Sequence, residues 1–183
     1  GTSGGVFTFT APAPTGGETI NASTGEITGG IAGTTYSVTY TTTGICPQSS
    51  IQTVTVNPLD DATFTLTDYC EGSPNSATVT GTAGGVFTFT TPPTGGETIN
   101  SVTGEITGGI GGTTYDVTYT TSSINCPQTS TQTVTVNSLD DATFTLTDYC
   151  EGSPNSATVT GTAGGVFTFT TPPTGGETIN SVT

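Results

Sequence analysis

The 183 residues contain no lysine, arginine, histidine, methionine or tryptophan. Without a base, nothing pairs with the 14 aspartates and glutamates, and the net charge is −14. A phosphate-binding surface cannot be built from such a chain, so nucleic acid is excluded as a partner. An anionic membrane surface is excluded on the same ground. With no His or Lys there is no ordinary general base to activate a nucleophile. A Lys–Asn isopeptide crosslink is equally impossible. Two carboxylates could serve as a glycosidase pair, but the acids recur at the same places along the chain, which suits a surface property more than a unique cleft. We therefore expect no enzyme and no catalytic residue. Also missing are an initiating methionine, a signal peptide and any apolar run of membrane length. The stretch reads as a piece of a longer secreted chain.

What the chain has instead is threonine, about a quarter of the residues in each repeat, with abundant Gly and with Val, Phe and Tyr. β-branched and aromatic residues favour strands, while Gly and Pro punctuate turns. The chain also copies itself. Leu59–Thr103 returns letter for letter as Leu139–Thr183, a period of 80 residues. Fixed-period self-similarity means an array of equal modules. Two one-residue indels compensate each other, and both fall in loops marked by Pro or Gly. "VNPLDDA" (Val56–Ala62) and "VNSLDDA" (Val136–Ala142) read as short linkers between strand-like runs. Cutting there predicts one complete repeat at 60–139. A partial repeat at 1–59 lacks its first strand, and another at 140–183 lacks its last strands. Carboxylate repulsion favours an extended array, eased by saline surroundings.

Within 60–139 the period-2 alternation predicts about seven short strands. "ATFTLT" turns Phe64 and Leu66 to one face, "SATVT" Ala77 and Val79, and "VFTFT" Phe87 and Phe89. "ETINSVTGEIT" reads as a hairpin turning at Ser101–Gly104 with Ile99 and Ile106 inward. "TYDVTYTT" offers Tyr115, Val117 and Tyr119, and "TQTVTVN" offers Val134 and Val136. The expected fold is all-β: tandem immunoglobulin-like antiparallel β-sandwich repeats of about 80 residues.

Four cysteines, two per repeat, read as disulfides of an oxidising compartment, since two Cys without His cannot complete a zinc shell. Spacing alone leaves the pairing open. Cys70–Cys126 would close most of one module. Cys46–Cys70 with Cys126–Cys150 would instead staple neighbouring repeats across the Asp–Asp linker. The first is preferred, because a small core gains more from an internal staple. Cys46 and Cys150 would then pair with cysteines outside this stretch.

The run "DATFTLTDYCEGSPNSATVTGTAGGVFTF", with "TTYDVTYTT" and "TQTVTVN", resembles the Ig-like repeats of giant, SprB-like surface adhesins of gliding Bacteroidota. The resemblance covers the whole chain. It implies export by the type IX secretion system, extracellular display on the cell surface, and a role in attachment or gliding motility.

Asp60, Asp61, Asp140 and Asp141 at the linkers could hold Ca²⁺, helped by Asp68, Glu71 or Asp116; a charged, solvated turn is the simpler reading, and no cofactor is expected. Thr-x-Thr runs resemble ice-binding ladders, but an 80-residue period does not stack threonines in register. The expected function is a structural stalk or filament segment of a repetitive cell-surface adhesin. Its partners are neighbouring repeats and other copies in a filament, with neither nucleic acid nor membrane insertion. The alternative is that each repeat is itself a carbohydrate- or partner-binding module.

Overall fold

A computed structural model describes residues 4–181. The described residues are all-β, and no helix is long and apolar enough to cross a membrane. The first part carries β1 (Val6–Ala11), β2 (Thr19–Ile20), β3 (Ile27–Thr28), β4 (Thr35–Thr41) and β5 (Ser49–Thr55). The middle carries β6 (Phe64–Thr65), β7 (Tyr69–Cys70), β8 (Thr78–Val79), β9 (Val86–Phe89), β10 (Thr98–Ile99), β11 (Ile106–Thr107), β12 (Thr113–Thr120) and β13 (Thr129–Asn137). The last part carries β14 (Phe144–Thr145) and β15 (Thr158–Val159).

In the middle part β7, β13, β12 and β9 form a four-stranded sheet in that order, while β6 pairs β8 and β10 pairs β11. Every pairing is antiparallel except β7 with β13, where Tyr69 and Cys70 run parallel to Val136 and Asn137. The antiparallel expectation missed that pair. The segment Ala62–Cys70 lies along β13 in the same direction. Ser130 Oγ donates to the Ala62 carbonyl at 2.6 Å, and Thr135 N donates to Asp68 Oδ1 at 2.7 Å. A carboxylate thus takes the place of a ladder acceptor between β6 and β7, which is why the run "ATFTLT" is not one strand.

The inward residues of these strands share one core: Phe64, Phe87, Ile106, Tyr115, Val117, Tyr119, Val134 and Val136, with Ala62. Phe64 meets Phe87 edge-on at 5.3 Å between centroids, a favoured aromatic geometry. The β10–β11 hairpin turns where it was expected. Asn100 Oδ1 accepts from Val102 N and Thr103 N, and Gly104 (φ +68°) lies against Ala77, where a Cβ would sit 2.7 Å from its methyl. Only glycine meets both demands.

The flanking parts repeat the sequence without the whole set of strands, and their burial differs accordingly. Val134 is fully buried, while its counterpart Val54 is 42% exposed. Phe64 is 1% exposed and the identical Phe144 is 50% exposed. In the first part β1, β4 and β5 form a three-stranded sheet whose β5 edge is exposed along its whole length. In the last part the β14–β15 pair stands without a larger sheet.

Candidate functional site

The residues between β5 and β6 form the junction of two copies, and their geometry is dictated locally. Asp61 Oδ1 accepts from Thr63 N at 2.9 Å and from the Thr63 hydroxyl, an Asx turn that starts the next strand. The Asp61 amide donates to Thr82 Oγ1 at 3.0 Å, and the Asp61 carbonyl accepts from Thr82 N at 2.6 Å. Gly81 lies so close to that carbonyl that a Cβ would stand 2.2 Å from it. The second junction is built alike. Thr143 N donates to Asp141 Oδ1, Asp141 N to Thr162 Oγ1, and Gly161 approaches the Asp141 carbonyl. The corner needs only the residues from the Asp–Asp pair to the threonine that follows the glycine, Thr82 or Thr162.

These bonds decide what the aspartates do. Hydrogen bonds from Thr63 hold the Asp61 carboxyl below its usual range. Asp68 is engaged with Thr135 and Asp116 with Thr133, both along β13, so neither converges on Asp60 and Asp61. No group of three or more potential ligands gathers among the described residues. The Ca²⁺ reading therefore has no assembled ligand set at Asp60, Asp61, Asp140 or Asp141.

The junction also receives the β12–β13 loop of the middle part. Asp60 N donates to the Cys126 carbonyl at 3.2 Å, and Cys126 Sγ lies 3.8 Å from the Asn57 carbonyl oxygen. Cys70 sits at the other end of the same part, paired with Asn137, and Glu71 N donates to the Asn137 carbonyl at 2.9 Å. All four cysteines are free. The preferred Cys70–Cys126 bond is not made, and the strand geometry explains why. The eight steps of β13 separate the two ends by about 26 Å at about 3.3 Å per residue, whereas disulfide Cα atoms stand about 4.4–6.8 Å apart. The Cys46–Cys70 and Cys126–Cys150 alternative is not made either. Cys46 lies before β5, at the end of the first part remote from the junction. Sequence reasoning placed Cys70 after the first strand and Cys126 before the last. It missed that those two strands run parallel, which sends their cysteines to opposite ends.

A second local device recurs in two copies. Tyr115 Oη donates to Glu97 Oε1 at 2.8 Å and accepts from Ile110 N at 3.1 Å, while Gly95 N donates to Glu97 Oε2 at 2.9 Å. Tyr36 and Glu18 repeat the arrangement, with Ile31 N and Gly16 N as donors. Backbone and tyrosine donors hold both glutamates below their usual range. This latch closes the Thr-Gly-Gly-Glu loop onto β12 or β4. Sequence reading did not anticipate it, although Glu and Tyr recur 18 positions apart in both copies.

An open groove of about 520 Å³ at the Cys70 end is lined by Tyr69, Glu71, Pro74, Glu105, Ile106 and Gly109. Its only aromatic wall is Tyr69, whose buried hydroxyl has no hydrogen-bond partner. No protein-family model matches the chain, and no curated protein is similar to it.

Proposed function

We propose that the chain is a stalk or filament segment of a secreted, repetitive surface adhesin, in which units of about 80 residues follow one another end to end. The observation that carries this reading is the junction. Its corner is built on the same aspartate, glycine and threonine in both copies, and at the first junction the β12–β13 loop of one unit rests on the linker from the unit before. Such a joint uses only nearest-neighbour contacts, the requirement for a linear array. The unit on this reading is an immunoglobulin-like sandwich, with the β6–β8 pair facing the four-stranded sheet across the Phe64–Phe87 core. The surface display, type IX export and gliding role belong to the same proposal and rest on the resemblance of the repeats.

An acidic, base-free chain whose middle part buries Phe64, Phe87, Tyr115 and Tyr119 suits a spacer better than a recognition surface. The rival reading, a binding module in each repeat, draws only on the groove beside Tyr69, where two glutamates and one half-buried ring could meet a polar ligand. A glycan array probed with the chain separates the two. The stalk reading expects no saturable binding, and saturable binding lost in Tyr69→Ala would replace it with the module reading.

A further inference from the structure

We propose that successive units are joined covalently, by a disulfide between Cys70 of one unit and the cysteine equivalent to Cys126 in the unit that follows. The inference rests on the tandem arrangement proposed above and adds the bond that closes each joint. It follows from superposing the two junctions by their register. Asn57 and Asn137 are the same residue of the repeat: Asn137 ends β13, and Asn57 follows the end of β5 at Thr55. At the second junction the Asn137 carbonyl accepts from Glu71 N, the amide that directly follows Cys70. At the first junction the equivalent Asn57 carbonyl is approached by Cys126 Sγ at 3.8 Å. The two cysteines of the repeat therefore converge on one backbone carbonyl, each from its own side of the joint.

No single junction within the 183 residues holds both. At the first, the Cys70 equivalent would belong to sequence before Gly1. At the second, the Cys126 equivalent would lie 80 positions after Cys126, beyond Thr183. That accounts for four free cysteines in a chain with two per repeat. It also accounts for why neither an internal staple nor a pairing among these four can form. Cys70 is exposed and Cys126 half-buried. The bond forms by thiol–disulfide exchange with a small-molecule disulfide such as oxidised glutathione. One cysteine thiolate attacks it, giving a mixed disulfide and one glutathione thiol. The second cysteine thiolate then displaces the other glutathione, so two protein thiols are oxidised and one disulfide is reduced to two thiols.

The test completes the third unit. Appending a further copy of Gly104–Leu139 after Thr183 restores the missing strands and supplies the partner cysteine. The chain then carries five cysteines, the four present and the one added. After refolding in oxidised and reduced glutathione at high dilution, the titratable thiols should fall from five to three once mixed disulfides are removed. Non-reducing peptide mapping should show Cys70 joined to the added cysteine. Changing the added cysteine to Ser should release Cys70 as a thiol and leave the other three unchanged. A bond from Cys70 to Cys126, Cys46 or Cys150, a bond between chains, or a Cys70 that stays free in the folded extended chain would each overturn the proposal. The far-ultraviolet circular dichroism of the reduced extended chain reports folding separately. End-to-end units in the reduced chain would leave the stalk reading standing even if the bond fails.

Discussion

At the residue scale the acids divide into those with work inside the fold and those that face solvent. Glu97 is held below glutamate's ordinary 4.5 by backbone donors and Tyr115, with Glu18 alike. A depressed folded value gives stability that is present above the unfolded value and is lost as pH falls through the folded one. The difference in melting temperature between the parent chain and Glu97→Gln should therefore be full at pH 7 and shrink from about pH 4.5 downward. Comparing the two chains cancels the general relief of repulsion as the other carboxylates protonate. An advantage that persists unchanged at pH 3 would show that the latch does not depend on the charge. Asp61 has its carboxylate committed to Thr63, so millimolar Ca²⁺ against a chelator should leave thermal melting unchanged. A rise of several degrees in Ca²⁺ would restore the metal reading at the linkers.

Single elements show what a complete set of strands contributes. Val134 and Val54 occupy the same place in the repeat, yet only Val134 is covered, because β6, β7 and β8 are present beside β13 and absent beside β5. Val134→Ala removes two buried methyl groups and should cost about 2 kcal/mol with its cavity included. Val54→Ala should stay within about 0.5 kcal/mol, as exposed substitutions do. Phe64→Ala should cost about 3–5 kcal/mol, and Phe144→Ala much less, since half of its side chain already meets water. Native-state hydrogen exchange, which reads each part of the chain separately, checks all four. Equal effects within either pair would mean that the flanking copies are as complete as the middle one.

For the whole molecule, the absence of Lys and Arg removes every tryptic site, so trypsin should leave the chain intact even when it is unfolded. A long array should stretch as a row of equal events. Pulling a reduced multi-repeat chain should release roughly 250 Å per event, from 80 residues at about 3.3–3.6 Å each less the folded length. Irregular or much longer steps would mean that the cooperative unit is not the 80-residue repeat. The same experiment under oxidising conditions should lose part of that length if each joint is closed by a disulfide.

Strand propensity, period-2 alternation and the exact repeat were enough to read an all-β chain, the β10–β11 hairpin, and Phe64, Phe87, Tyr119 and Val134 as core. These are local signals: each depends on which residues neighbour each other in sequence, and short-range sterics enforce them. The corner at Asp61 and Gly81 and the latch between Glu97 and Tyr115 also lie in the sequence as fixed spacings, but only the fold shows what the spacings join. The direction of β7 could not be read at all. Two residues carry no periodicity, and whether they pair parallel or antiparallel depends on where the chain returns after β6. That one choice sends Cys70 and Cys126 to opposite ends of a nine-residue strand. The composition established that cysteine was present and paired in number, and the tertiary structure decided that the two in one unit cannot meet, because a strand of that length is several times longer than a disulfide.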